Sequence, residues 1–139
     1  MPTDNEDTTQ FLEWRPGVVT RMHASHAQGA ECLCVFEQLC EPGAGAPWHR
    51  HDVEEVIVVV EGRARFQLTE SDSELAAGRS VRIPAGSRHA FANVGETTLR
   101  LIAIFASATP QTEYEGQEGN VVIGRETGRH RTTVTVRRS

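Results

Sequence analysis

Short runs of β-branched and aromatic residues recur along the chain, and turn residues separate them. Glycine or proline in EPGAG, VEGR, AAGR, PAGS and NVGE supplies the backbone conformations that chain reversal requires. No stretch has a convincing helical period. The pattern predicts an all-β sandwich or barrel with little helix. The predicted strands are VVTRM, ECLCVFEQL, EEVIVVVEG, RARFQL, RSVRIP, HAFANV, TLRLIAIF, NVVIG and TTVTV.

The chain of 139 residues suits one domain. We expect the acidic and polar residues 1–10 to form a flexible tail and residues 11–139 to form the domain. Residues 119–139 carry five arginines and are predicted to form terminal strands or a solvated hairpin, with a subunit clasp as the next choice. The polar interval 69–75, TESDSEL, is predicted to be the tip of a hairpin.

Two of the predicted strands, 56–60 and 99–106, are apolar on both faces. A strand in a small barrel needs only one apolar face for the core, so a further layer or a second subunit must cover the other. We therefore expect a homodimer.

Composition and charge exclude several functional classes. The net charge is −5 without a basic region that suits nucleic acid, and all 14 basic residues are arginines, so lysine Schiff-base chemistry is excluded. No apolar run approaches the roughly 20 residues that cross a bilayer, and the acidic start is unlike a secretory signal, so we expect a cytoplasmic protein without a membrane partner. Cys32, Cys34 and Cys40 are even-numbered and are predicted to be small buried side chains on one strand face rather than a thiol metal site.

Histidines and a carboxylate cluster ahead of the apolar run 56–60. His49, His51 and Glu55 are odd-numbered, so on one continuous strand they would project from the same face and Glu54 would point away. A further metal ligand is expected from elsewhere, and His89, just after the turn PAGS, is the best placed. The remaining histidines, His23, His26 and His130, are predicted to be solvated loop residues.

The spacing of these residues resembles the two motifs of the cupin superfamily, G(X)5HXH(X)3-4E(X)6G and G(X)5PXG(X)2H(X)3N. The first is matched by Gly43, His49, His51, Glu55 and Gly62, and the second by Gly78, Pro84, Gly86, His89 and Asn93. The resemblance covers residues 43–93. It implies a compact single-domain jelly-roll barrel of the prokaryotic type, with a divalent metal on His49, His51, Glu55 and His89.

The implied set of three imidazoles and one carboxylate suits one Fe, Mn, Ni, Co or Zn ion per chain. With open coordination positions, such a centre is typical of an enzyme that acts on a small organic molecule in the barrel, by dioxygenase, isomerase or lyase chemistry, with dioxygenase chemistry as the first choice. The alternative is a non-catalytic cupin that binds a metal or a small ligand as a sensor or accessory protein.

Candidate pocket residues follow from parity. Ile57 and Val59 share the face of the predicted ligands, and Phe91 shares the parity of His89. Arg65, Arg82 and Arg100 lie on predicted strands and could point inward to bind an anion, although a solvated or interfacial position is favoured for each. Trp48 is predicted to serve in packing, and Tyr114 to be exposed in the acidic loop TEYEGQEG.

Overall fold

A computed structural model describes residues 10–124 and 132–133. Within these residues, helix is limited to one 3-10 turn, His26–Gln28, so no described helix is long enough to cross a membrane. The described strands are β1 (Leu12–Arg15), β2 (Val18–Ala24), β3 (Cys34–Cys40), β4 (Gly45–His51), β5 (Glu55–Glu61), β6 (Arg63–Leu68), β7 (Ser71–Ala76), β8 (Ser80–Ile83), β9 (His89–Asn93), β10 (Leu99–Phe105), β11 (Gln111–Tyr114), β12 (Val121–Val122) and β13 (Thr132–Thr133).

The strands form two antiparallel sheets. One has the order β13-β1-β2-β3-β10-β5-β8 and the other the order β12-β11-β4-β9-β6-β7. The inward faces of the two sheets pack together, and Phe66, Leu101 and Phe105 are buried almost completely between them. The predicted all-β jelly-roll class is confirmed, because alternating residues of both sheets fill one core.

Close packing of β4 against β9 fixes the position of the first two histidines. A Cβ atom on Gly45 would lie 2.0 Å from the Phe91 carbonyl oxygen, so only glycine permits this approach. Farther along, the register shifts between Ala46 and His49, with one extra residue on β4. This bulge sets His49 directly opposite His89 on the inner face.

Several strands depart from the sequence prediction. Residues 69–75 are not merely a hairpin tip, because Ser71–Ala76 pair with β6 along its whole length. This edge strand needs only Leu75 in the core, so its polar composition concealed it. Strands β1 and β11 were not predicted, nor was β4 as a strand separate from β5, and His23 lies on β2 rather than in a loop.

The chain ends and the cysteines also differ in part from the prediction. β12 pairs with β11 and β13 pairs with β1, so these two described strands lie in different sheets and do not form a hairpin with each other. The rest of 125–139, with His130, and the predicted tail apart from Gln10 lie outside the described residues. Cys34 and Cys40 are buried as predicted, whereas Cys32 precedes β3 and is exposed.

The outer face of the seven-stranded sheet carries the second apolar surface that the sequence predicts. Val56 and Val58 of β5 lie opposite Ile104 and Ile102 of β10 on this face and are half-buried. Val60 and Ile104 are 41% and 38% exposed. This apolar surface continues across two neighbouring strands.

Candidate metal centre and its cavity

Three buried histidines come together on the inner face of the six-stranded sheet. His49 and His51 lie on β4 and His89 on β9, and their candidate ligand atoms all lie within 4.8 Å of one another. The ring centroids of His49 and His89 are 4.1 Å apart. These three side chains could hold a metal ion.

Glu55 reaches the same point from the opposite sheet. Its Oε1 lies 3.4 Å from the His51 Nε2 and 3.3 Å from the His89 Nε2, and the residue is 3% exposed. Glu54 faces outward, where its carboxylate accepts a hydrogen bond from Arg82 over 2.7 Å. Parity places these two glutamates correctly, although no single strand joins His51 to Glu55: the chain leaves β4 at His51 and enters β5 of the other sheet at Glu55.

Backbone carbonyl groups hold the three imidazole rings in one tautomer. The Nδ1 of His49 lies 2.6 Å from the Pro47 oxygen, and the Nδ1 of His89 lies 2.8 Å from the Ser87 oxygen. For His51, the Nδ1 lies 3.3 Å from the Gln111 oxygen and 3.1 Å from the Thr112 Oγ1. A carbonyl oxygen can only accept, so each Nδ1 carries the proton and each Nε2 keeps its lone pair for a ligand.

Burial keeps two of these rings neutral. Desolvation, reinforced by the neighbouring His89 and His51, lowers the pKa of His49 to about 3. Burial also lowers the pKa of His51, against the opposing effect of the Glu55 carboxylate. Neutral imidazole is the form that binds a metal ion, so both rings are ready to do so at pH 7 without first losing a proton.

Two buried polar atoms of the site have no hydrogen-bond partner among the described residues. They are Glu55 Oε1 and His89 Nε2, which face each other across 3.3 Å. A carboxylate oxygen and an imidazole lone pair repel at this distance unless a cation or a proton lies between them. The donor set of three nitrogens and one oxygen therefore fits a divalent transition metal.

A small deep cavity and a larger outer one adjoin this site. The deep cavity, of about 20 Å³, lies between the sheets and is lined in part by His49, His51 and Glu55. That volume is enough for one water-sized occupant. The outer cavity measures about 290 Å³, and four residues line both cavities, namely Trp14, Arg15, Tyr114 and Ile123.

The predicted pocket residues occupy different positions. Ile57 and Phe91 line the deep cavity, whereas Val59 is fully buried in the core and lines neither cavity. The three predicted arginines, Arg65, Arg82 and Arg100, lie on the outer surfaces of the sheets and line neither cavity.

Each of these arginines has an acidic partner outside the barrel. Arg65 pairs with Asp72 over 2.7 Å, and Arg82 pairs with Glu54. Arg100 binds Glu37, its Nη2 lying 2.5 Å from the Oε2 of that carboxylate. The inward alternative is wrong for these arginines, and the outward position that the sequence favours is the one found. Strand alternation turns them away from the core, which their apolar neighbours along each strand fill.

Several cavity residues were not predicted from the sequence, among them three that line both cavities. Trp14 packs edge-on against Phe36 at 5.1 Å, and Arg15 Nε donates to the Gly45 oxygen over 2.6 Å. Tyr114 is half-buried on β11 rather than exposed in a loop, and its ring lies 5.7 Å from that of His49. The only local signal was the alternation in LEWR and QTEY, which is too short to predict a strand with a defined inner face.

Comparison with known proteins gives a consistent family match. Residues 36–105 match the cupin domain. Auxin-binding protein 1 of Arabidopsis thaliana is 28% identical over 110 residues, which are 72% of this chain. The chain spans only 56% of the length of that relative.

Solved structures with similar folds include proteins of different named activities. The polyketide cyclase RemF from Streptomyces resistomycificus superposes with a TM-score of 0.70 and 21% identity, over 85% of this chain and 87% of that one. An RmlC-like cupin from Shewanella frigidimarina gives a TM-score of 0.66 and 22% identity, over 78% and 92% of the two chains. The oxalate decarboxylase of Lactobacillus farciminis gives 0.69 and 18% identity, over 76% of this chain and 33% of that one. At these identities the likeness shows a shared fold.

Proposed function

The chain belongs to the cupin domain family, and on this premise we propose that it is a metal-dependent enzyme acting on a small organic molecule. One divalent transition metal is held by His49, His51, Glu55 and His89. The observation that carries the proposal is the pair of partnerless buried atoms, Glu55 Oε1 and His89 Nε2, facing each other beside two further imidazoles.

The chemistry divides between the ion and the chain. A bound ion of this kind supplies a Lewis acid, or a redox centre if it is iron or manganese, with open positions for a substrate oxygen. The chain fixes the imidazole rings through their Nδ1 hydrogen bonds, and Ile57 and Phe91 contribute apolar wall to the deep cavity. We propose dioxygenase, isomerase or lyase chemistry. The names of the similar structures, among them a cyclase and a decarboxylase, describe different reactions and do not select one of the three.

Metal analysis tests the ligand set. Protein purified without chelators is expected to contain close to one transition metal per chain, and His51→Ala or Glu55→Ala is expected to remove most of it. Glu54→Ala is the matched control, because the adjacent carboxylate faces outward and pairs with Arg82. A metal-free wild-type protein that takes up no Fe, Mn, Co, Ni or Zn when supplied would refute the proposal.

A non-catalytic ligand-binding protein is the second candidate function. The observation that favours it is the relative named for binding auxin, whose name describes binding rather than turnover. Oxygen consumption and product formation over a panel of diketones, phenolics and hydroxy acids distinguish the two. Saturable binding of a panel member to the metal-loaded protein without any product would favour the binding protein.

A homodimer through the outer face of the seven-stranded sheet is also proposed. Its support is the exposure of Val60 and Ile104 on a face where Val56, Val58 and Ile102 are also apolar. Ile104→Glu is expected to convert a dimer to a monomer in size-exclusion chromatography with light scattering. A wild-type monomer at micromolar concentration would contradict the dimer. The single-domain organisation of 11–139 and the cytoplasmic location stay predictions.

A further inference from the structure

Arg15 occupies the boundary between the deep cavity and the outer cavity. It lines both, and its Nε donates a 2.6 Å hydrogen bond to the Gly45 oxygen, which holds the guanidinium group against β4. Within the described part of the chain, its Nη1 and Nη2 have neither a hydrogen bond nor an ion pair. A guanidinium group anchored through Nε still presents two parallel N–H donors, which match the two oxygens of a carboxylate.

Among the described residues, no carboxylate that lines the cavities neutralises this charge. Glu13 is the one acidic residue among the described residues that line the outer cavity, and it is exposed and has no ion pair with Arg15. Glu55 lines the deep cavity, but its Oε1 faces His51 and His89. The positive charge of Arg15 is therefore available to a ligand.

Apolar and aromatic side chains line the same cavities as Arg15. Trp14 and Tyr114 line both cavities, and Ile123 and Pro47 complete much of the apolar wall of the outer one. The outer cavity, at about 290 Å³, is close to the lower limit of about 300 Å³ for small-molecule sites. Two aromatic side chains beside one cation suit a single aromatic ring that carries an acid group.

We propose that the outer cavity binds an aromatic carboxylate, with the carboxylate on Arg15, the ring against Trp14 and Tyr114, and the opposite end of the ligand toward the metal centre. The last part rests on the proposed function, whereas the Arg15 anchor does not. Arg15 is thus a residue that determines specificity, since it selects an acid over its neutral isostere and sets which end of the ligand meets the histidines.

Benzoate and benzamide form the test pair, because they share size and ring and differ in charge. Calorimetric titration of the full-length protein as purified is expected to show at least tenfold tighter binding of benzoate. Arg15→Met is expected to weaken benzoate binding by about ten- to a hundredfold and to leave benzamide unchanged. Arg65→Met is the matched control, since this exposed arginine pairs with Asp72 and lines neither cavity.

A carboxylate could instead bind a metal directly, so a His51→Ala variant is titrated in parallel. Retention of the benzoate preference in that variant, with its loss in Arg15→Met, supports the anchor whatever the metal content. Loss of the preference in His51→Ala with its retention in Arg15→Met overturns it, as does equal binding of benzoate and benzamide to the wild type. These outcomes distinguish a failed anchor from a failed metal site.

Two further measurements keep the test independent of folding. Arg15→Lys keeps the positive charge but loses the planar pair of donors, so it is expected to retain part of the preference for benzoate. If Arg15→Met does not fold, full wild-type affinity in the lysine variant overturns the bidentate anchor. In a Trp48→Phe background, the one remaining tryptophan is Trp14, and benzoate is expected to quench its fluorescence with the calorimetric Kd. Binding without quenching places the ligand elsewhere.

Discussion

Replacing Thr112 by valine removes the hydroxyl group that orients His51, a proposed metal ligand, and changes little else. Thr112 is 1% exposed, and its Oγ1 lies 3.1 Å from the Nδ1 of His51. In Thr112→Val the shape of the side chain is kept, but the ring retains only the Gln111 oxygen at 3.3 Å, which is long for such a bond. His51 then gains freedom to rotate or to change tautomer.

The expected loss falls on metal affinity more than on stability. Removing a group that orients a ligand of this kind costs about ten- to a hundredfold in affinity, or about 1.4 to 2.8 kcal/mol. The free energy of unfolding of the metal-free protein is expected to fall by only about 1 kcal/mol, the net value of one hydrogen bond. The two effects are measured separately, by competition for Zn²⁺ against a chromophoric chelator and by denaturant unfolding in EDTA.

Two controls make the result interpretable. Thr112→Ser keeps the hydroxyl group and is expected to bind Zn²⁺ as the wild type does. Thr20→Val removes another buried hydroxyl, which accepts a 3.1 Å hydrogen bond from Gln38, so it reports the general cost of such a change. Equal Zn²⁺ affinity in Thr112→Val and Thr112→Ser would refute the orienting role of Thr112.

Three further outcomes follow from the packing and the protonation of the chain. Gly45→Ala is expected to destabilise the protein by about 3 kcal/mol, because the new Cβ meets backbone atoms that cannot move aside. In the control Gly95→Ala the new Cβ has room, so this variant is expected to unfold with a near wild-type Tm. Equal Tm values for the two variants would contradict this. Ellman's reagent is expected to label one thiol, Cys32, in the native protein and all three after unfolding, since burial raises the pKa of the other two to about 12; two fast thiols in the native state would count against it. For the metal-free protein, the free energy of unfolding is expected to fall as the pH drops from about 6.5 toward 3, because His49 binds a proton in the unfolded chain but stays neutral in the folded one. His49→Asn is expected to reduce the slope of unfolding free energy against pH by about 1.4 kcal/mol per pH unit near pH 4.5. An unchanged slope would show that His49 is not its source.

The pH sign follows from the lowered pKa. A group whose pKa is lower in the folded state than in the unfolded state leaves the free energy of unfolding unchanged above its unfolded pKa. Below that value it lowers the free energy of unfolding increasingly as the pH falls. The loss therefore begins near pH 6.5, the ordinary value for histidine, and continues until His49 itself is protonated near pH 3. A bound metal would strengthen the same dependence, because protons compete with it for the Nε2 atoms.

Much of the architecture could be predicted because it is local. The strands of residues 56–60 and 99–105 are long, apolar and bounded by turn residues, so period and composition agree. β7 was missed since an edge strand buries only one side chain, Leu75, and the polar remainder resembles a loop. Composition indicates which segments are buried, so a strand that buries few side chains cannot be distinguished from a loop by its composition.

The candidate metal site could also be predicted from local sequence, although the assumption that one continuous strand carries His49, His51 and Glu55 is wrong. Spacing identified the histidines and Glu55, whereas the bulge in β4 and the crossing to the other sheet before β5 have no counterpart in a simple count of parity. Glu55 still faces inward because β5 alternates from it through Ile57 and Val59. The strand after the crossing, and not the one before it, determines its direction.

The cavity wall could not be predicted, because it depends on pairing between distant segments. Arg15 reaches the site since β1 pairs with β2. Tyr114 lies 99 positions farther along the chain and reaches the site since β11 pairs with β4. Neither segment carries a motif, and four residues show too little periodicity to define a face. Pairings of this kind are set by the packing of the whole sandwich.

The residues that line both cavities and the proposed metal ligands come from separate stretches of the chain, and this separation matters for how such proteins diversify. The histidines and Glu55 lie between positions 49 and 89, whereas the residues shared by both cavities lie at 14–15 and 114–123. Mutations or exchanges confined to the two end segments would therefore change the wall of the outer cavity while the candidate metal centre is inherited intact. A chimaera that joins the middle of this chain to the end segments of a relative would transfer ligand preference without transferring metal chemistry.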